Sequence, residues 1–185
     1  MRKEGSFTID ELHRFPGDGN RYELIQGSLH VNPAPDPFHQ RVSSNLQWLL
    51  TEACPDGLEV FSAPLDVTLG PDTLVQPDLM VVRTDRLTGA GLDGPPLLVV
   101  EILSPSSMNY DRGTKRLTYE QARVPSFWIV DPDPHQPSVT LLDLDGDHYV
   151  ERTVEGGGEL AVDRPYPIVV RPADLVVPGG SRRPR

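Results

Sequence analysis

The sequence has little cysteine and little lysine, and it lacks any long hydrophobic run. Its 185 residues include one cysteine, Cys54, which excludes an intrachain disulfide and a zinc site built from several cysteines. We therefore expect a reducing compartment. No stretch approaches the ~20 apolar residues that span a bilayer, and residues 1–15 carry three acidic side chains and no apolar core, unlike a secretory signal. These absences predict a soluble, cytoplasmic protein that does not enter a membrane.

Basic residues are also in deficit. The chain has 17 Lys and Arg against 27 Asp and Glu, a net charge of -10, whereas strong nucleic-acid binders usually carry a basic surface. The acidity is uneven, however, because residues 131–163 contain nine acidic residues and one arginine and carry -8, which leaves -2 elsewhere. The total charge is therefore compatible with DNA binding only if segment 131–163 faces away from DNA or toward a partner protein.

The length and the turn-forming residues bound the organisation of the chain. We assign residues 1–177 to a single domain and residues 178–185 to a flexible basic tail. Twenty prolines and sixteen glycines divide the chain into many short elements, which is typical of a domain that mixes helices with strands.

Apolar runs and their spacing predict the elements themselves. We expect strands at 58–62, 65–69, 78–82, 97–103 and 127–130, helices at 37–53 and 111–122, a long loop at 83–96, and hairpins at 21–32 and 139–152. The strand–helix–strand order over 97–130 implies parallel pairing. The predicted fold class is α/β (α+β): a central mixed β-sheet flanked by helices, with added N- and C-terminal β-hairpins.

Glu101 interrupts an almost continuous apolar strand. By strand alternation it shares a face with Val99 and Leu103, so its carboxylate projects among apolar side chains. A buried carboxylate is costly unless it is paired, hydrogen-bonded or bound to a metal, and an arginine partner at the strand end is the alternative to a functional site.

Asp78 begins another apolar run. If the two strands are neighbours, the two carboxylates converge and suit Mg²⁺; otherwise Asp78 simply starts a turn.

The helix after the Glu101 strand carries a second polar pattern. Asp111, Lys115 and Tyr119 are spaced by four residues and form one stripe. A lysine beside the carboxylates would orient a water or offset phosphate charge. The alternative is an ion pair between Lys115 and Asp111 on a solvated face.

Two further polar residues lie in the N-terminal part of the chain. Glu23 interrupts the apolar strand of the first hairpin and is either another acidic group near the metal or a hairpin residue that pairs with Arg21 or Arg41. His39 stands in the first turn of the 37–53 helix, where it either reaches a phosphate or the site, or is simply polar at a helix start.

Several short motifs occur together in a specific order and spacing. They are RYELIQG at 21–27, PAP at 33–35, HQ at 39–40, PD at 77–78, PP at 95–96, VEILSPS at 100–106, the stripe Asp111, Lys115 and Tyr119, and WIVDP at 128–132. The acidic pair followed by a lysine resembles the signature of PD-(D/E)XK nucleases. The full set resembles the Uma-type putative restriction endonuclease family, over about residues 7 to 175.

The resemblance implies a restriction endonuclease-like core and a set of catalytic roles. The lysine that the broad signature places two residues after the glutamate is absent, since Leu103 stands there; the Uma-type family takes it from the following helix, where this chain has Lys115. Asp78, Glu101 and Lys115 would then be catalytic. Asp78, Glu101 and the main-chain carbonyl of Ile102 would hold Mg²⁺, for which Mn²⁺ is expected to substitute, in an endodeoxyribonuclease.

The same reading assigns supporting residues and partners. The supporting group is Glu23, His39, Asp111 and Tyr119, and the expected phosphate contacts are Arg112, Arg116 and Arg123. DNA is the expected partner, and cutting both strands of a duplex favours a homodimer. The alternatives are a non-catalytic interaction protein that retains the fold, or a metal-dependent hydrolase of another substrate.

Overall fold

The computed structural model describes residues 6–89, 91–105 and 107–178. The helices are α1 (Ile9–Leu12), α2 (Pro37–Ala53), α3 (Met108–Tyr110), α4 (Arg116–Gln121) and α5 (Pro172–Val176), and the π-helical turn Asp111–Lys115 joins α3 to α4. The strands are β1 (Arg21–Ile25), β2 (Ser28–Asn32), β3 (Leu58–Ser62), β4 (Val67–Gly70), β5 (Thr73–Val75), β6 (Leu79–Arg83), β7 (Leu87–Thr88), β8 (Gly91–Asp93), β9 (Leu98–Ile102), β10 (Ser126–Asp131), β11 (Ser138–Asp145), β12 (His148–Glu155), β13 (Leu160–Val162) and β14 (Ile168–Val170). The predicted basic tail lies outside the described residues from 179 onward.

A mixed sheet, here called the central sheet, has the strand order β12-β11-β10-β9-β6-β3. β9 and β10 are parallel, and the other neighbours are antiparallel. The helical stretch 108–121 crosses between the two parallel strands. The predicted parallel crossover is therefore confirmed, as is the mixed α/β fold class.

Both faces of the central sheet are covered by apolar side chains. On one face Val100 and Ile102 pack with Leu46 of α2. On the other face Val99 and Leu103 pack with residues of α4 and of a second sheet. The alternation along β9 therefore places Glu101 on the second face, as the sequence predicts.

The second sheet, here called the outer sheet, has the order β2-β1-β5-β4-β8-β7. The prediction that 83–96 is a loop is wrong, because β7 and β8 form a small hairpin there. Strands of two and three residues are too short to show a period. Gly91 adopts φ +130°, and a Cβ there would lie 2.3 Å from the carbonyl oxygen of Asp66, so the position favours glycine.

The two predicted hairpins belong to different sheets. β1 and β2 are antiparallel in the outer sheet, and Gln26 and Gly27 at their turn both have positive φ, which matches the twist of a two-residue hairpin turn. β11 and β12 extend the edge of the central sheet. Both hairpins are confirmed, and the N-terminal one forms part of the layer that covers Glu101. In the part of the chain that is described, no helix is both long and apolar enough to cross a membrane.

Candidate active site

Asp78 and Glu101 meet at one end of the central sheet. β6 and β9 are antiparallel neighbours with Leu79 opposite Val100, so Asp78, one residue before β6, comes level with Glu101. Asp78 Oδ2 accepts the main-chain N–H of Ile102 at 2.9 Å, and both carboxylates are buried. The convergence predicted from the two apolar runs is thus realised, and Asp78 does more than start a turn.

Asp78 is held by two basic side chains from elsewhere in the chain. Arg21 Nη1 donates to Oδ1 at 2.7 Å, and His39 Nε2 lies 3.0 Å from Oδ2. Burial alone would raise the pKa of Asp78, but the hydrogen bond and charge of His39, the charge of Arg21 and the Ile102 N–H hold that pKa below its ordinary value. Asp78 is therefore ionised, and His39 is part of the site rather than an ordinary polar helix start.

Lys115 lies between carboxylates of the two sheets. Its Nζ is 2.9 Å from Glu101 Oε1 in the central sheet and 3.0 Å from Glu23 Oε1 in the outer sheet, and its side chain is 4% exposed. Asp111 Oδ1 is more distant, at 3.9 Å. The interpretation of Lys115 as a surface partner of Asp111 is therefore wrong, and so is the pairing of Glu23 with Arg21 or Arg41.

The π-helical turn positions Asp111 and Lys115. The helical stretch begins after Ser107, so Asp111 is inside it and not at its start, contrary to the prediction. A π-helical turn is rare and occurs often at functional sites. Asp111, Lys115 and Tyr119 are all buried, so the stripe spaced by four residues faces the protein interior.

Tyr119 fixes the position of Glu101. Its hydroxyl donates to Glu101 Oε1 at 2.6 Å. Burial, followed by the charge of Glu101, raises the pKa of Tyr119, so the phenol stays protonated and remains a donor. Oε1 therefore accepts from Tyr119 and Lys115, while Oε2 accepts no hydrogen bond from any described residue.

Burial raises the pKa of Glu101 to about 8, although the charge of Lys115 opposes the shift. Burial also disfavours the charge on Lys115, but Glu101, Glu23 and Asp111 overcome it and raise the pKa of the ammonium. The two shifts compete, since a protonated Glu101 offers Lys115 less charge. Because Glu23 and Asp111 face Lys115 as well, we treat Lys115 as charged whether or not Glu101 holds a proton.

Both carboxylate oxygens of Glu23 accept hydrogen bonds from other residues of the chain. Oε1 accepts the main-chain N–H of Gln76 at 2.8 Å in addition to Lys115, and Oε2 accepts from Asn32 Nδ2 at 2.7 Å. Sequence reasoning missed Asn32, Gln76 and the role of Arg21. One signal was present: Arg21 and Glu23 are two residues apart on β1 and so share a face. Nothing local indicated Gln76.

A cavity of about 210 Å³ opens onto the site. Asp78, Glu101, Ile102, Asp111 and Lys115 line it together with Arg21 and His39, whereas Glu23 and Tyr119 do not. Among the described residues, no group of three or more His, Cys, Asp or Glu side chains has the arrangement of a metal site.

The donor set fits Mg²⁺ nonetheless. Glu101 Oε2 is free to accept, and Asp78 Oδ1 accepts only from Arg21. Mg²⁺ is usually bound through one or two carboxylates and keeps several waters. Asp78 and Glu101, with the main-chain oxygen of Ile102, would meet that need, and no sulfur or unpaired imidazole competes at this wall.

The three arginines expected to contact DNA lie with the acidic segment. None of them lines the cavity, and each pairs with an acid of residues 131–163: Arg112 with Asp131 at 3.6 Å, Arg116 with Glu151 at 2.8 Å and Arg123 with Asp147 at 2.6 Å. The acidic segment therefore lies beside the arginines that were expected to contact DNA, and its orientation away from DNA or toward a partner protein stays a prediction. Phosphate contact by the arginines stays a prediction, and it requires them to exchange these partners.

Comparison with known proteins finds one matching family model and a similar solved structure. The family model Uma2, described as "Putative restriction endonuclease", matches residues 9–171. Among solved structures, the chain is similar to a putative nuclease belonging to DUF820 from Anabaena variabilis, with 20% sequence identity, a TM-score of 0.72 and coverage of 92% of this chain and 97% of that one. At that identity the likeness shows a shared fold. Among curated proteins, no match was found.

Proposed function

The chain belongs to the Uma2 family of putative restriction endonucleases, and from this premise we propose that it is a metal-dependent endonuclease that hydrolyses phosphodiester bonds of DNA. One observation supports the proposal above the others. Asp78, Glu101 and Lys115 come from three separate elements and line one cavity, and the lysine is held 2.9 Å from the glutamate.

Asp78, Glu101 and the main-chain carbonyl of Ile102 would hold Mg²⁺, with Mn²⁺ as a substitute. When bound, the ion would polarise a phosphoryl oxygen and lower the pKa of a water. Binding requires both carboxylates to be ionised. Arg21 and His39 keep Asp78 in that state, whereas Glu101 must lose the proton that its raised pKa favours.

Lys115 is the proposed group that acts on the reacting atoms. Its ammonium would orient the attacking water and offset the negative charge that develops on the phosphate. Glu23 and Asp111 hold the ammonium charged and in place. Tyr119 plays a positioning role, because its hydrogen bond to Oε1 leaves Oε2 of Glu101 directed to other partners.

The test is cleavage of plasmid and linear DNA in Mg²⁺ or Mn²⁺ by the purified protein. We expect cleavage that EDTA abolishes and that falls to background in Asp78→Asn and in Glu101→Gln, both of which keep the side-chain volume. Asp85→Asn is the matched control, because Asp85 is exposed and pairs with Arg83 at the surface; it should cleave as the wild type does.

Two results would overturn the proposal. Equal cleavage by wild type, Asp78→Asn and Glu101→Gln would identify a contaminating nuclease. Folded wild-type protein that binds a divalent cation yet cleaves no DNA would favour another substrate or a non-catalytic role. The proposal also includes a homodimer, which would place two sites on the two strands of a duplex; light scattering after size-exclusion chromatography measures it directly.

A further inference from the structure

A second cavity adjoins the candidate active site. It has a volume of about 620 Å³ and shares Arg21, Pro35, His39 and Asp78 with the first cavity. Asp78, Arg21 and His39 therefore form a wall that has a cavity on each side. The second cavity lies over α2 between His39 and Gln47 and over the segment between β3 and β4.

Away from the shared wall, the second cavity is polar but uncharged. Its ionisable lining residues are the three of the wall itself. The remaining polar lining consists of amides and hydroxyls, among them Asn20, Gln40, Ser43, Gln47, Ser62 and Gln76. Such a surface offers hydrogen-bond donors and acceptors without charge, and it does not repel a phosphate backbone.

Three residues of this lining each have a buried polar atom that has no hydrogen-bond partner among the described residues. The atoms are Arg21 Nε, His39 Nδ1 and Gln76 Oε1. Buried polar atoms are normally hydrogen-bonded, and an unsatisfied one is destabilising. Gln76 cannot turn freely, because its Nε2 donates to Asp66 Oδ1 at 2.7 Å and its main-chain N–H donates to Glu23. Once the side chains around them move enough to expose them, a ligand that combines an anionic acceptor with a hydrogen-bond donor would satisfy these atoms.

We propose that the second cavity binds one nucleotide of the substrate strand, next to the phosphodiester that is cleaved. A phosphate oxygen of that nucleotide accepts from Arg21, and its sugar and base occupy the uncharged part. Gln and Asn side chains can pair their donor and acceptor with a base edge, and the volume lies within the usual range for small-ligand sites. The inference rests on the proposed nuclease function and specifies its substrate beyond the phosphodiester group.

The test compares two substrates that differ in whether they have nucleosides. A 12-nucleotide single-stranded DNA fills both cavities, whereas bis(4-nitrophenyl) phosphate offers a phosphodiester without nucleosides. Ser43→Phe places a ring in the second cavity, and Gln47→Ala removes one amide from its lining. Thr51→Phe is the matched control, because Thr51 is an exposed residue of the same helix outside the lining.

We expect Ser43→Phe to lower kcat/KM on the oligonucleotide at least about tenfold more than on bis(4-nitrophenyl) phosphate, mainly through KM. Gln47→Ala should shift the same ratio about threefold, and it carries the test if Ser43→Phe does not fold. Thr51→Phe should leave the ratio at the wild-type value.

Equal losses on both substrates in Ser43→Phe and in Gln47→Ala would overturn this inference and leave the nuclease intact. A wild-type protein that cleaves neither substrate with Mg²⁺ or Mn²⁺ would overturn the proposed function, and the inference with it. The two failures are thus distinguished by the behaviour of the wild type.

Discussion

The helical stretch 108–121 has an inner and an outer face, and the two differ in how their ion pairs are solvated. On the inner face Lys115 lies between Glu101 and Glu23 with its side chain 4% exposed. On the outer side, Arg116 is 36% exposed beside Glu151, and it lies only one position along the chain from Lys115. The inner pairs are buried between the two sheets, whereas the outer pairs are exposed to solvent.

Burial changes how much an ion pair of this kind contributes to stability. In water an ion pair is screened and contributes little to stability. Inside the protein, removal of one partner leaves an uncompensated buried charge, which is strongly destabilising. The inner cluster therefore constrains the fold and also keeps the groups of the proposed site in fixed positions. The outer pairs can exchange partners at small cost.

The largest expected effect is the loss of stability when the buried cation is removed. Lys115→Met should lower the free energy of unfolding by about 3–5 kcal/mol, because Glu101 and Glu23 lose their shared cation. Arg116→Met, the matched outer variant, should lower it by no more than about 1 kcal/mol. Urea unfolding followed by circular dichroism measures both.

A double variant keeps this prediction testable. Adding Glu101→Gln to Lys115→Met removes one of the buried carboxylates and should recover part of the lost stability. Similar losses in Lys115→Met and Arg116→Met would show that burial does not separate the two faces energetically.

A smaller effect concerns the pH dependence of the free energy of unfolding, which reports the protonation state of Glu101 in the inner cluster. Its pKa is raised to about 8 in the native state, whereas the unfolded chain loses the proton near its ordinary value of about 4.3. Between those values the native state holds the extra proton, so the free energy of unfolding should fall as pH rises, by at most about 1.4 kcal/mol per pH unit. Glu101→Gln should remove that part of the slope.

Urea unfolding at pH 5.5, 6.5 and 7.5 in EDTA measures the slope without divalent cations. An identical slope in wild type and in Glu101→Gln would show that Glu101 is ionised throughout this range. In that case the cluster would hold its negative charge without a proton or a divalent ion.

The smallest expected effect concerns the outer pairs and DNA. Replacing Arg116 or Arg123 with Gln should weaken DNA binding in Ca²⁺ and reduce the slope of log K against log salt by up to about 1 each. Asp147→Asn, which frees Arg123 from its partner, should strengthen binding at low salt.

Arg83→Gln is the control for these variants, because Arg83 pairs locally with Asp85. Fluorescence anisotropy of a labelled duplex over a salt series provides the measurement. If Arg116→Gln, Arg123→Gln and Asp147→Asn all bind as the wild type does, the DNA lies elsewhere and the outer face serves only to hold the β11–β12 hairpin.

Local patterns were sufficient for much of the fold and for the centre of the site. The alternation around Glu101 indicates a carboxylate among apolar side chains, and the spacing of Asp111, Lys115 and Tyr119 indicates one face of a helix. Both are consequences of backbone geometry, which repeats every two residues in strands and about every 3.6 in helices. The parallel crossover follows from element order for the same reason.

Contacts between distant segments were not predictable in this way. Arg21 binds Asp78 across 57 positions of sequence, and Gln76 donates to Glu23 across 53. The short strands β7 and β8 lack a readable period, so the hairpin they form was mistaken for a loop. Which acid each arginine meets also depends on how the β11–β12 hairpin lies against the helical stretch.

The sequence alone predicts which residues would carry the chemistry: two carboxylates at strand ends and a rare lysine on the next helix. It also contains the ordered motifs that mark the family. The way these residues are held depends on the packing of the folded chain. Lys115 lies between two sheets, Asp78 contacts Arg21 and His39, and the outer arginines lie against the acidic segment. Backbone periodicity selects the face on which a side chain lies, but its partner is decided by the packing of elements that are far apart in the chain.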